Sequence, residues 1–348
     1  MVIRWNANQV ARLVRAVNGA SGQMKREDFR KASRSAAGPA PGIDSGGPSL
    51  PPGVPESVRD FLDHIGQLGV RGLEAFVGPA PSGVSDPLPH RARFETQNYT
   101  NDAGSRAYKL YIPSGYRGQA LPLVVMLHGC TQVPDDFAAG TRMNKLAEEQ
   151  TFFVVYPAQS SAANALKCWI WSSASDRSLV AGITRQVMLD FAVDPERIYV
   201  AGFSAGGATA AIMGSEYPEL YAAVGVHSSP VCTGALRKPV PTILFHGDRD
   251  IIVHPVNGDK AITRSKAGAE LRAIIRRGQV PGGAAYTCTI HVDGDGQPLL
   301  EHWLLHELGH GWSGGAPRFH TEPRGPDASR EMVRFFLAHP RAAKRSCV

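Results

Sequence analysis

The chain has 348 residues, a formal net charge of +6 and 43% hydrophobic residues. That length holds one large domain with an extension or two modest ones, and it can bury a sizeable core. The positive excess is mild and scattered with no zinc-finger or RNA-binding signature, and the apolar run Leu121–Leu127 is short and broken at Pro122. Composition therefore argues against a nucleic-acid binder and against a membrane-spanning helix.

The N-terminal stretch MVIRWNANQVARLVRAVNGA is interrupted by Arg4, Arg12 and Arg15 and lacks the continuous apolar run of a secretory signal. A cytoplasmic location is the expectation, with an extracellular one as the alternative. Five cysteines (Cys130, Cys168, Cys232, Cys288, Cys347) are too few and too spread for a disulfide scaffold and show no CxxC metal spacing. Whether Cys130 and Cys168 pair is left open; pairing calls for an oxidising compartment.

Residues 1–92 differ in texture from the rest. A short amphipathic helix fits residues 7–18, with Val10, Leu13, Val14 and Val17 on one side. Residues 33–54 are rich in Ser, Ala, Gly and Pro, as a linker is. Residues 55–77 again show helical spacing, weakened by Gly66, Gly69 and Gly72, and a second linker runs from Gly78 to Pro89. From about residue 93 the pattern alternates strands and helices. Strands are expected at Tyr108–Ile112, Leu123–Leu127, Phe152–Tyr156, Ile198–Ala201, Ala223–Val226, Thr242–Phe245 and His302–Leu305. Helices are expected at Thr141–Glu149, Leu179–Phe191, Ala205–Ser215 and Asp259–Arg277. Alternation of this kind implies an α/β domain over residues 93–348, with a mostly parallel sheet covered on both faces.

The chemistry centres on Ile198-Tyr199-Val200-Ala201, then Gly202-Phe203-Ser204-Ala205-Gly206, then a run of small residues. An apolar strand, a G-x-S-x-G turn and a helix start are the context in which that motif presents a nucleophilic serine. Serine needs a general base oriented by a carboxylate, and in this fold the chain order is Ser, acid, His. Phe245-His246-Gly247-Asp248-Arg249-Asp250 ends the next buried strand; Asp250 is the favoured acid, with Asp248 bracing the turn. His310, between Gly309 and Gly311 after the last strand, is the favoured base, whereas His227, His246, His254, His302 and His306 are read as structural. The oxyanion donors expected are the N–H groups of Ala205 and of Cys130, the latter in Leu127-His128-Gly129-Cys130-Thr131-Gln132.

One rival motif overlaps the base. His306-Glu307-Leu308-Gly309-His310 matches H-E-x-x-H, which binds zinc when both histidines share one face of a continuous helix. Gly309 interrupts the motif, glycines follow it at 311, 314 and 315, and strand-like sequence precedes it. A zinc metalloprotease is accordingly the distant alternative, and no metal or cofactor is expected.

From about Tyr108 to Gly315 the sequence resembles the polyhydroxybutyrate depolymerase family of esterases. The stretches that carry the resemblance are Tyr108-Lys109-Leu110-Tyr111-Ile112-Pro113, Leu127–Gln132, Cys168-Trp169-x-Trp171, Val193–Val200 leading into the elbow, and Gly309–Gly315. The resemblance implies an α/β-hydrolase fold, a Ser204–His310–Asp250 triad and hydrolysis of carboxylic esters, with no cofactor. It implies poly- or oligo-(3-hydroxybutyrate) as substrate, on a storage granule for members lacking a signal peptide. Feruloyl or acetylated polysaccharide esters, or short-chain esters, are the alternative. Trp169, Trp171 and Trp312 are candidates to line an acyl or polymer groove. Two segments flanking the expected site, Ser172–Ser178 and His227–Val240, are shorter than the family's pattern.

Overall fold

The computed structural model describes residues 88–163, 166–231, 240–266, 268–318 and 320–341. The helices expected at residues 7–18 and 55–77, the linker at 33–54 and nearly all of the one from Gly78 to Pro89 lie outside the described residues. The strands are β1 (Arg93–Asn101), β2 (Gly104–Ile112), β3 (Leu121–Leu127), β4 (Phe153–Pro157), β5 (Val193–Phe203), β6 (Ala223–His227), β7 (Thr242–Gly247), β8 (Arg272–Gln279), β9 (Ala285–Val292) and β10 (Pro298–Leu305), with the two-residue pair β11 (Trp312–Ser313) and β12 (Thr321–Glu322). The helices are α1 (Pro134–Thr141), α2 (Met143–Gln150), α3 (Ala174–Asp190), α4 (Ala205–Glu216), α5 (Val256–Ser265) and α6 (Ala328–Ala338).

Ten strands form one sheet in the order β1-β2-β4-β3-β5-β6-β7-β10-β9-β8. The centre from β4 to β10 is parallel, and antiparallel hairpins extend it at both edges. Every residue of β3, β4, β6 and β7 is buried. That is what a parallel strand covered on both faces demands, and it explains the unbroken apolar runs. Strand alternation separates the two faces. Ala223 and Gly225 face α6, where a Cβ on Gly225 would meet Met332 and Phe336, and Tyr199 stacks on Phe336 at 4.9 Å. Val224 faces the other way against α4, so close to Gly214 that a Cβ there would lie 2.2 Å from Val224 Cγ2. The small residues of α4 thus let that helix lie flat on β5 and β6.

The observed elements depart from the sequence pattern where local signals compete. The helix expected over Asp259–Arg277 stops at Ser265; Gly268 turns the chain in the left-handed region (φ +79°), and Arg272–Gln279 pairs with β9 as the outer edge strand. Its isoleucines and arginines tolerate either state, and pairing with β9 decides between them. The helix expected at Thr141–Glu149 is α2, which starts at Met143 because Arg142, with φ +56°, separates it from α1. Strands β1 and β9 and helices α1 and α6 were not anticipated. Helix α6 has a clear start, since the Asp327 side chain caps the Arg330 N–H at 3.0 Å.

Candidate active site

The nucleophile candidate sits where β5 turns into α4. Ser204 has φ +54° and ψ −123°, a backbone state costly for a residue with a Cβ, on the order of 1–3 kcal/mol. Two glycines make the turn possible. A Cβ on Gly202 would approach the Gly206 carbonyl carbon and oxygen to 2.3 Å, and one on Gly206 would come within 2.1 Å of Leu127 O. The elbow therefore presses against the end of β3, bringing the nucleophile beside the expected oxyanion loop. The Ser204 N–H donates to His227 O at 2.9 Å, while its Oγ is buried and makes no hydrogen bond.

The acid and base meet across 60 residues of sequence: His310 Nδ1 lies 2.8 Å from Asp250 Oδ2. Asp250 follows β7, and its Oδ1 also accepts the N–H groups of Ile252 (2.9 Å) and Val253 (2.8 Å). His246 Nε2 lies 3.4 Å from Oδ2 and 2.8 Å from Val253 O. Burial alone would raise the Asp250 carboxyl; the opposing charge of His310 and the hydrogen bonds from His246 and His310 outweigh it and hold the group well below the usual carboxylate range. An ionised Asp250 in turn keeps the His310 proton on Nδ1, leaving Nε2 as the nitrogen able to take a proton. The His310 ring packs on Phe203, the residue before Ser204, with centroids 4.8 Å apart.

Asp248 does what the sequence assigned it. Its carboxylate accepts the Glu307 N–H at 2.7 Å and pairs with His306 Nδ1 at 3.0 Å. His306 Nε2 is 2.9 Å from Thr287 Oγ1. Glu307 adopts φ +60°, so residues 306–310 form a turn after β10 rather than the helix that H-E-x-x-H zinc binding requires. The two histidines are directed to different carboxylates. Among the described residues, no group of three or more His, Cys, Asp or Glu is placed to hold a metal ion.

The segment after β3 is tightly fixed. The Gly129 N–H donates to Gln132 Oε1 at 2.8 Å, and the Thr131 N–H to Leu166 O at 2.5 Å. Thr131 has φ +66°. His128 is held through Nδ1 to Gly129 O (2.8 Å), and its Nε2 accepts the Gln159 N–H (3.1 Å). Burial pushes its imidazole down to about 4, so it is neutral. Cys130 and Cys168 form a disulfide, which ties this loop to the segment before Trp169. Among the described residues the N–H groups of Cys130 and Ala205 donate to no acceptor of the chain, and that of Ala205 opens α4, where no i−4 carbonyl exists.

Two placements were not legible in the sequence. His227, read as an ordinary strand histidine, accepts the Ser313 N–H through Nε2 at 3.0 Å, pinning the loop that carries His310. His246, read the same way, lies against the acid. The His227 contact left no local trace because Ser313 comes from a distant element, and the His246 contact, only four residues along the chain, depends on how the turn after β7 folds back. The three tryptophans are buried, at 1–2% exposure. Trp312 belongs to the core, edge-on to Phe137 and with Nε1 donating to Ser329 Oγ at 3.0 Å, so the structure puts it inside rather than along a groove. Trp169 and Trp171 are likewise covered.

The sheet order and the strand–turn–helix elbow define an α/β-hydrolase, with a serine at the elbow and a histidine–aspartate pair on the following loops. Residues 106–243 match the family described as Esterase PHB depolymerase. It is 27% identical over 275 residues to a poly(3-hydroxyalkanoate) depolymerase C of Paucimonas lemoignei, covering 68% of this chain and 65% of that protein. It is 29% identical over 160 residues to a bifunctional acetylxylan esterase/xylanase of Neocallimastix patriciarum, covering 45% of this chain and 23% of that one. A poly(3-hydroxybutyrate) depolymerase of Ralstonia pickettii is 29% identical over 134 residues, 34% of this chain and 26% of that one. The chain thus spans less than two thirds of each of these relatives. In fold it is similar to an acetyl xylan esterase from Aspergillus awamori, with a TM-score of 0.54 and 17% identity, over 70% of this chain and 99% of that one.

Proposed function

We propose that the chain is a serine esterase that cleaves carboxylic esters through an acyl-enzyme on Ser204, and that its substrates are poly- or oligo-(3-hydroxybutyrate). The observation that carries the reading is the Asp250–His310 hydrogen bond at 2.8 Å, with the His310 ring packed against the elbow that presents Ser204. In this reading His310 Nε2 takes the Ser204 proton as Oγ attacks the ester carbonyl. The N–H groups of Ala205 and Cys130 hold the oxyanion, and His310 returns the proton to the departing alcohol. Water, deprotonated by the same nitrogen, then releases the acid.

The relatives named as depolymerases support the polyester assignment, and the acetylxylan esterase relative makes acetylated polysaccharide the competing substrate. A panel of amorphous polyhydroxybutyrate, 3-hydroxybutyrate oligomers, ethyl ferulate, acetylated xylan and p-nitrophenyl butyrate decides between them. Highest kcat/KM on the hydroxybutyrate oligomers supports the reading, and highest kcat/KM on acetylated xylan overturns the substrate. Ser204→Ala should lose several orders of magnitude on p-nitrophenyl butyrate while keeping the wild-type melting curve; near-wild-type turnover overturns the nucleophile. The Cys130–Cys168 disulfide favours an oxidising compartment over the cytoplasm first expected. Thiol titration of protein taken directly from its host tests that placement.

A further inference from the structure

Beside the oxyanion loop the structure has a second feature that the reaction leaves unused. A cavity of about 370 Å³ opens at the C-terminal edge of the sheet. Its lining includes Asn98 and Ser105 from the β1–β2 hairpin, Arg106, Gln159 and Ser161 after β4, and Lys167. The lining is rich in donors and its charges are unbalanced in one direction. Arg106 is neutralised by Asp176 at 2.6 Å and also bonds Gln159. Gln159 Nε2 donates to the same aspartate at 2.6 Å. Lys167, half-buried, has no ion-pair partner among the described residues. Asp136 on α1 is within Coulomb reach of Lys167 but forms no ion pair with it. A buried guanidinium nitrogen, Arg106 Nε, has no partner either. The positive field extends to the oxyanion loop, where Lys167 and Arg106 both add to the burial that keeps His128 uncharged.

The position of the cavity fixes which part of an ester it could receive. The strand order is β1-β2-β4-β3-β5, so the cavity's walls on β1 and β2 lie four and three strand spacings from the nucleophile strand and its near wall, after β4, lies two, about 10 Å. The acid and base follow β7 and β10, on the opposite side of β5. The departing alcohol must lie within reach of the base, so the acyl chain is the part that extends toward β4. An extended acyl chain of roughly seven or eight carbons covers that distance, since each bond of about 1.5 Å advances slightly less than its length.

We propose that this cavity is an acyl-chain subsite that selects acyl groups ending in a carboxylate, with Lys167 as the counter-charge and the hydroxyl and amide groups around it as supporting donors. The inference rests on Ser204 being the esterase nucleophile. It names a class beyond neutral polyesters: half-esters of medium-chain dicarboxylic acids.

The test compares monomethyl suberate with dimethyl suberate, which have the same acyl length and differ in end charge, using the full chain. Wild-type kcat/KM should favour the monoester by roughly tenfold, expressed in KM, the size expected of one charge-assisted hydrogen bond. Lys167→Gln should bring the ratio to about one, Lys167→Arg should keep it, and Ser161→Glu, which adds a repelling charge at a second lining position, should push it below one. A wild-type ratio of one or less overturns the proposal, as does a ratio that neither Lys167→Gln nor Ser161→Glu changes. Turnover of p-nitrophenyl butyrate separates the two failures. If wild type hydrolyses it but shows no monoester preference or cleaves neither suberate, the subsite is wrong and the esterase reading stands. If wild type hydrolyses none of the three, the esterase reading itself fails.

Discussion

Replacing Asp250 by Asn isolates the part of the site that orients the base. The carboxylate receives the Ile252 and Val253 N–H groups on Oδ1 and the His310 ring on Oδ2. The amide oxygen of Asn can keep both backbone donors, which directs its NH2 group at His310 Nδ1. His310 must then accept there and carry its proton on Nε2, the tautomer that cannot take the Ser204 proton. A wrong-tautomer base of this kind costs about 10⁴-fold in kcat, or about 5.5 kcal/mol of transition-state stabilisation. The fold should suffer less, because a hydrogen bond to a charged group contributes about 1.5–3 kcal/mol and the contacts that change at Oδ2 are those of His310 and His246. The pH dependence has a defined sign. The folded carboxyl lies below its unfolded value of about 3.9, so its stabilising contribution is complete above that pH and is lost only as pH falls toward the folded value. Steady-state hydrolysis of p-nitrophenyl butyrate, with urea unfolding from pH 7 to 3, measures both effects. Asp250→Asn keeping more than about a tenth of wild-type kcat would falsify the orienting role, and so would a larger loss in Asp248→Asn, whose carboxylate touches His306 and Glu307 instead.

The other expectations are simpler. Cys130→Ser with Cys168→Ser opens a 38-residue loop and should lower stability by about 2–4 kcal/mol on loop-closure grounds, read as a shift in the urea midpoint. It should also lower kcat, since the Cys130 N–H is a proposed oxyanion donor; unchanged kcat would remove Cys130 from that role. Dialysis against EDTA should leave p-nitrophenyl butyrate hydrolysis intact, and activity lost to the chelator and restored by zinc would revive the H-E-x-x-H reading. Burial pushes His302 down to about 4, so folded protein refuses a proton that the unfolded chain takes near pH 6.5. The contribution of this group is therefore flat above that pH and falls as pH drops to 4, by about 3 kcal/mol at the limit; His128, held neutral in the same way, adds its own loss, so His302→Gln should reduce the slope in urea titrations without removing it.

Much of the centre of the sheet was legible because β3, β4, β6 and β7 are buried on both faces, which leaves mostly apolar residues in their strands. The edges were not. In β8 the sequence RAIIRRGQ shows no alternation and lies on a largely exposed surface, so local preference does not separate helix from strand, and pairing with β9 decides. The elbow could be read because its glycines stand in a recognisable strand–turn–helix pattern; Gly202 is demanded within the turn by Gly206, while Gly206 is demanded by the distant Leu127 carbonyl. His227 could not be read as a support of the base loop, since its partner Ser313 belongs to another element of the fold, whereas the His246–Asp250 contact is four residues long and is set by the fold of the turn after β7.

Ser204 could be named as the candidate nucleophile from the sequence alone, because a strand, a glycine-flanked turn and a small-residue helix are short-range requirements that leave a local trace. Asp250 and His310 could be named from chain order, but the sequence holds no measure of their separation. Only the tertiary structure brings the loops after β7 and β10 side by side, through the parallel pairing of those two strands. The same holds for Trp312, an aromatic that sequence allows in a groove and packing puts in the core. The cavity at Lys167 is a product of packing as well: it gathers residues 98 to 167 from two strands and two loops, and no window of sequence contains them together.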